Sequence, residues 1–158
     1  MHELRPDLED AARSLILAGL GEHWGNVDPA LNRDLDDLAV TDADGTVLVA
    51  CDGARVVGTG TIVPRDQRSA EIVRMSVAPA YRRTGLGRRL VDELLECARG
   101  WGMDRVVLET SAHWTEVVAF YLRCGFTQTH FEDGEFGRDA WFERRLGDQV
   151  ETGDETAL

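Results

Sequence analysis

The chain contains no lysine, so all 17 of its basic residues are arginines. That absence excludes the phosphate loop ending in Gly-Lys-Ser/Thr, whose lysine reaches the β- and γ-phosphates. Cysteine is scarce too, and Cys51, Cys97 and Cys124 show no paired spacing. Neither a disulfide framework nor a metal knuckle is implied, and the thiols are expected to be reduced and buried. His2, His23, His113 and His130 are equally scattered, so no metal is expected. There is no long apolar span and no cationic leader followed by an apolar stretch. The expectation is therefore no membrane association and a cytoplasmic location. Positive charge is in deficit: 29 acidic residues give a formal net charge of −12. Binding a polyanion requires a concentrated basic face for counterion release, so nucleic acid is not an expected partner.

What the chain does have is ordinary globular content. With 158 residues, 43% of them apolar, it can bury one real core, and a single domain is expected over 1–147. Residues 148–158 carry Asp148, Glu151, Asp154 and Glu155 and are expected to form a disordered acidic tail.

Apolar residues recur at helical spacing in Leu8, Ala11, Ala12, Leu15 and Ile16, with Asp7 placed to cap a helix that Gly19 and Gly21 would end. After a loop with His23, Trp24 and Asn26, Asp28-Pro29 opens a second helical stretch to Leu38. Three extended runs follow, Val47 to Cys51, Arg55 to Val63 and Ala70 to Val77. Turn signals at Asp52-Gly53 and Pro64-Arg65-Asp66 separate them, which predicts two successive hairpins. The next helix, Gly85 to Trp101, buries Leu86, Leu90, Val91, Leu94, Leu95 and Ala98 along one side, and Gly100-Trp101-Gly102 stops it. The strand after it, Arg105 to Thr110, should lie parallel to Ala70–Val77 through a crossover. A last helical stretch ends in Phe120-Tyr121-Leu122-Arg123-Cys124-Gly125-Phe126, and Gly125 to Phe131 with Ala140 to Leu146 reads as a closing hairpin. The predicted class is α/β (α+β), a mixed sheet flanked by about four helices.

One segment carries chemistry. Arg82-Arg83-Thr84-Gly85-Leu86-Gly87 follows the extended run ending at Val77 and opens an amphipathic helix. The first turn of a helix has N–H groups with no internal partner and the positive end of the dipole. Glycines at 85 and 87 remove side chains that would hold a phosphate away. The spacing is not the dinucleotide G-x-G-x-x-G, because Leu90 stands three residues beyond Gly87. Taken alone, Gly-x-Gly reads equally as a turn that only caps the helix.

In context, Arg-x-x-Gly-x-Gly preceded by Val77-Ala78-Pro79 resembles motif A of the GNAT superfamily of N-acetyltransferases, whose loop wraps the pyrophosphate of acetyl-CoA. Tyr121 followed by Gly125-Phe126, after Leu108-Glu109-Thr110, resembles motif B. The matched segments cover roughly residues 69 to 127. The resemblance implies the GNAT fold, a mostly antiparallel sheet whose two parallel strands splay apart to admit pantetheine. It implies acetyl-CoA as acyl donor without a metal, and a small-molecule or peptide amine as acceptor.

Acetyl transfer to an amine needs a held donor, a deprotonated amine, a donor for the tetrahedral oxyanion and a proton for the departing thiolate. For holding, the resemblance assigns backbone from Met75, Ser76 and Val77 to the acetyl-pantetheine arm, and Arg82, Arg83, Thr84, Gly85, Leu86, Gly87 and Arg88 to the pyrophosphate. An amide at Met75 would also polarise the thioester carbonyl. The same strand residues also read as plain core, and Thr84 could as well satisfy only the loop. For the leaving thiol, Tyr121 falls at the motif-B tyrosine. A phenol titrating near ~10 is protonated at neutral pH.

For the base, Glu109 and Glu71 compete. Glu109 precedes Tyr121 by twelve positions, a spacing like that of family members acting on peptide N-termini, and is placed first. Glu71 matches a position other members use, often through water. Each also reads as an ion-pair partner of Arg74 or Arg105, and His113 is a third option because imidazole titrates in the right range.

The sequence departs from the family where motif B often carries Asn seven positions before its tyrosine; here stands Trp114, which has no acceptor and is far bulkier. His23, Trp24, Asn26, Glu132 and Glu135 fall where the family selects its acceptor. The acidic balance favours a cationic acceptor or is simply a solvated surface. Two rivals stand beside the acetyltransferase: a non-catalytic acyl-CoA-binding sensor, and transfer of a longer acyl group. The amine's identity and the oligomeric state, a homodimer included, stay open.

Overall fold

The sequence divides at its glycine and proline signals into β1 (His2–Glu3), a 3₁₀ turn (Pro6–Leu8), α1 (Glu9–Trp24), β2 (Thr46–Asp52), β3 (Arg55–Pro64), β4 (Ser69–Val77), a second 3₁₀ turn (Pro79–Tyr81), α2 (Leu86–Gly100), β5 (Arg105–Ser111), α3 (Thr115–Arg123), β6 (Thr127–Gly134) and β7 (Gly137–Arg145). This computed structural model describes residues 1–24, 44–134 and 137–147. The helix expected at Pro29 to Leu38, Asn26, Glu135 and the acidic tail lie outside the described residues. The strands are ordered β1-β2-β3-β4-β5-β7-β6 in a mixed, mostly antiparallel sheet. Among the described residues no helix is long and apolar enough to cross a membrane.

The chain divides into two compact units, Met1–Val63 with Ile72–Leu94, and Pro64–Glu71 with Leu95–Leu158. In the first, β2 and β3 form the predicted hairpin, with a bulge between Ala50 and Cys51. Leu8, ending the 3₁₀ turn, and Ala12 and Ile16 of α1 pack on Val49 and Val56. α1 runs past Gly19 and Gly21 to Trp24, a correction to the expected stop. A glycine inside a helix costs only about 1 kcal/mol relative to alanine, and it ends one chiefly by taking a left-handed conformation. β3 presents Gly58 and Gly60 to α2. A Cβ on Gly58 would lie 3.0 Å from a Leu90 methyl carbon, and one on Gly60 would lie 2.9 Å from both Leu94 and the Met75 sulfur. Glycine there lets the helix approach the strand backbone.

In the second unit, β4 pairs parallel to β5 through Ser69↔Arg105, Ala70↔Val106 and Glu71↔Val107, as the crossover predicts. β7 then runs antiparallel between β5 and β6. Val106, Leu108, Phe126, Phe142 and Leu146 form its buried interior. The end of α2 is closed by paired bonds, Gly102 N–H to Arg99 at 3.0 Å and Met103 N–H to Ala98 at 3.1 Å, with Gly102 at φ 78°. That is a Schellman cap, and it explains why Gly100-Trp101-Gly102 stops the helix. The cysteines carry no disulfide, but only Cys124 is buried; Cys51 and Cys97 are half-buried, less enclosed than the sequence reading expected.

Candidate active site

The first unit holds the loop between β4 and α2. Pro79–Tyr81 turns tightly, and the Tyr81 hydroxyl donates to the Asp52 carboxylate, tying the loop to the end of β2. Arg82 folds back so that its Nε donates to the Val77 carbonyl at 3.0 Å. The Thr84 hydroxyl donates to the Tyr81 carbonyl, so its proton serves the loop. Arg83 takes φ 62°, a left-handed conformation rare for a residue with a side chain, and Gly85 takes φ 90°. The first helical bond runs from Arg89 N–H to Gly85 C=O at 3.0 Å. The amides of Leu86 and Gly87 precede that bond, in the first turn of the helix, where N–H groups lack an intrahelical acceptor. Arg82, Arg83, Arg88 and Arg89 are exposed around this terminus. The donor set suits an anion: oriented N–H groups, the positive helix end and guanidinium forks. The space beside the Gly85 α-carbon is open for 4 Å. Met75, Ser76 and Val77, all half-buried, end β4 just before the loop.

The second unit holds the carboxylates. Glu71 stands opposite Val107 on β5, and Glu109 is two residues further along the same strand. Alternate residues share a face, so Glu71 and Glu109 lie on one side of the sheet. Glu109 pairs across to Trp141, and Ser111 to Asp139. On β6, His130 stands opposite Trp141 and Glu132 opposite Asp139, with a bulge between Gln128 and His130 that sets this register. Glu109 is exposed. Its carboxyl is nonetheless raised above its usual range, first by partial desolvation, then by the charges of Asp139, Glu71 and Glu132, with Arg65 opposing. Glu71, half-buried, is raised by desolvation, again with Arg65 opposing. Arg105 is engaged elsewhere, 2.9 Å from Glu143 and 2.9 Å from the Ser69 hydroxyl, so the expected ion pair from Arg105 to either glutamate does not form.

Tyr121 lies near the end of α3 with 6% of its surface exposed. Its position follows from the cap. Gly125 takes φ 90°, its N–H donates to Leu122 at 3.1 Å, and Phe126 N–H donates to the Tyr121 carbonyl at 3.1 Å. Tyr121-x-x-x-Gly-Phe is thus, physically, a helix-ending motif with an apolar contact across it. The phenol ring packs edge-on against Phe120 at 5.1 Å and Phe126 at 5.9 Å, and tilted against Phe142 at 6.4 Å. Burial pushes its hydroxyl above the ordinary phenol range, and Cys124 adds to the rise. Arg144 Nη1 closes the cap by donating to Cys124 C=O at 2.7 Å.

Trp114 starts α3, its carbonyl accepting from Val118 N–H at 3.0 Å. His113 is exposed just before it. Among the described residues no group of three or more His, Cys, Asp or Glu is placed to hold a metal ion. Sequence reasoning missed Arg65, Asp139 and Trp141. The signal was present: Asp139, Trp141 and Glu143 alternate with buried Ala140 and Phe142 along β7, which puts an aromatic and two carboxylates on the open face.

Comparison with known proteins gives this arrangement a family. The chain is 33% identical over 132 residues to an IAA acetyltransferase of Azospirillum brasilense, covering 82% of this chain and 83% of the relative. It is 31% identical over 144 residues to glucosamine 6-phosphate N-acetyltransferase 1 of Oryza sativa subsp. japonica, covering 84% and 86%. The solved structure of an aminoglycoside 6'-N-acetyltransferase complexed with coenzyme A superposes with a TM-score of 0.71 over 90% of this chain and 94% of that one, at 18% identity. The family model of the acetyltransferase (GNAT) family matches residues 8–126, a span reaching from α1 through the loop to the cap of Tyr121, and the chain belongs to that family.

Proposed function

We propose that the chain transfers an acetyl group from acetyl-CoA to a primary amine by direct attack in a ternary complex, with residues 1–147 as the domain that does so. The observation that carries this reading is the opening of α2, where the helix-end amides of Leu86 and Gly87 follow a left-handed Arg83 and Gly85 amid exposed arginines. Arg82, Arg83, Thr84, Gly85, Leu86, Gly87 and Arg88 hold the diphosphate, and the backbone of Met75, Ser76 and Val77 holds the pantetheine arm. The coenzyme A complex of the structural neighbour supports this choice of donor. When bound, acetyl-CoA supplies an activated thioester.

The chain's residues do the rest. Glu109 takes the proton of the acceptor ammonium, and its raised pKa makes it a stronger base than an ordinary carboxylate. Glu71 on the same face supplements it, directly or through water. Tyr121 donates a hydrogen bond to the departing sulfur. Its raised pKa keeps it protonated, and against a thiol near ~8.5 the phenol stays a donor while solvent completes the protonation. The acceptor is a small-molecule or peptide amine.

The test is calorimetric titration with CoA and acetyl-CoA together with thiol release over a panel of amines. Heat of binding and thiol release with at least one amine is the expected pair of results. Binding without release on any amine marks a sensor, absence of binding overturns the reading, and competition among acyl-CoAs decides acetyl against longer chains.

A further inference from the structure

We infer that Arg65 selects the acceptor by holding, on the face of Trp141, the place that a second cationic group of a di- or polyamine takes. The inference rests on the acetyl-transfer reading and concerns which amine that reaction accepts.

The observations come from one turn and four strands of one unit. Arg65 stands in the turn between β3 and β4, its amide donating to Ser69 C=O at 2.9 Å, and its guanidinium carbon lies 4.9 Å from the centroid of the Trp141 ring. The His130 ring stacks with the same indole at 6.0 Å and an interplanar angle of 4°. Trp141 is the strand partner of Glu109, the proposed base. Every strand here puts a carboxylate on this face: Glu71 on β4, Glu109 on β5, Asp139 on β7, and Glu132 on β6, whose Oε2 lies 3.0 Å from His130 Nε2.

An aromatic face ringed by negative charge attracts cations by quadrupole and Coulomb terms together. Arg65 shows that a guanidinium settles there. Among the described residues it forms no ion pair, so stacking and long-range attraction hold it, and such a contact is exchangeable. The charges acting on Glu109 are those of Asp139, Glu71 and Glu132 with Arg65 opposing, so an ammonium is drawn in where a carboxylate or phosphate is repelled. A compound with two amines meets both demands, one nitrogen beside Glu109 and the other on Trp141. Polyamines and multi-amino sugars share that chemistry.

The experiment measures kcat and KM on the full chain with 1,4-diaminobutane, spermidine, kanamycin, n-butylamine and β-alanine, for wild type and Arg65→Gln. The diamines are expected to show a KM about tenfold below that of n-butylamine. Arg65→Gln should lower the diamine KM further and move the acidic limb of kcat/KM upward in pH, because Arg65 no longer opposes the rise at Glu71 and Glu109. Trp141→Leu should erase the preference for diamines. Spermidine and kanamycin separate an extended polyamine from an amino sugar. A raised diamine KM in Arg65→Gln, a selective loss of β-alanine turnover, or no diamine preference in wild type overturns the inference. CoA titration of each variant reports the fold independently. Turnover of amines without these differences defeats this inference alone, whereas CoA binding with no turnover of any amine defeats the acetyl-transfer reading beneath it.

Discussion

Phe126 holds Tyr121 twice: its amide donates to the Tyr121 carbonyl at 3.1 Å, and its ring meets the phenol edge-on at 5.9 Å. The side chain proposed to face the departing thiol is therefore fixed by the geometry that ends α3. Tyr121→Phe keeps both ties and removes only the hydroxyl. It should lower kcat by about 10²- to 10³-fold while CoA affinity and the thermal midpoint stay near wild type. Tyr121→Ala removes the ring from between Phe120, Phe126 and Phe142 and should destabilise by about 3–5 kcal/mol. Steady-state kinetics with thermal melts distinguish the two variants, and a Phe variant with undiminished kcat would remove the phenol from the chemistry.

Glu109 predicts a pH signature with two opposite signs. Its folded pKa lies above the unfolded value, so the native state binds more protons across that window, and stability falls as pH rises through it. Activity runs the other way, because the base works only when ionised. The kcat/KM profile should thus have its acidic limb above the ordinary carboxylate range. Glu109→Gln should abolish that limb with a large loss of rate, yet raise the melting temperature slightly at pH 7 and leave it unchanged at pH 4. Glu71 is half-buried and raised for the same reason of desolvation, so Glu71→Gln should show the same stability pattern with a smaller kinetic loss. Equal melting shifts at both pH values would contradict the assignment.

The elements that periodicity marks strongly were legible: the leucine stripe of α2, the β2–β3 hairpin, the parallel strand after the crossover and the glycine stops at 102 and 125. The two-residue β1 was not, because a strand that short has no period to read and exists through its pairing with Val49 and Leu48. The loop stood out in the sequence as a candidate anion site because its glycines and arginines are local in sequence. Arg83 in a left-handed conformation was not, since nothing in Arg-Arg-Thr-Gly requires it. The open face around Glu109 was half legible. Its carboxylates could be picked one at a time, but Arg65, Trp141 and Asp139 join them only through registers across β4, β5 and β7. Those registers depend on long-range pairing.

Gly60 and Gly85 predict opposite failures of the first unit. At Gly85 an added Cβ meets nothing within 4 Å, so the penalty of Gly85→Ala is conformational, set by φ 90°. It should cost about 1–2 kcal/mol and weaken CoA binding by tilting the first amides of α2. Gly60 has no positive φ, but its Cβ would stand 2.9 Å from Leu94 and from Met75. Gly60→Val therefore forces α2 away from β3 and should cost about 1–3 kcal/mol by overpacking. The cure differs as well. Adding Leu94→Ala to Gly60→Val should recover part of the lost stability by making room, and no side-chain truncation should rescue Gly85→Ala, because no side chain opposes it. Denaturant melts of the two series with CoA titrations decide the matter. Rescue of Gly85→Ala by a neighbouring truncation would show that crowding, rather than backbone conformation, makes glycine necessary at the entrance to the helix.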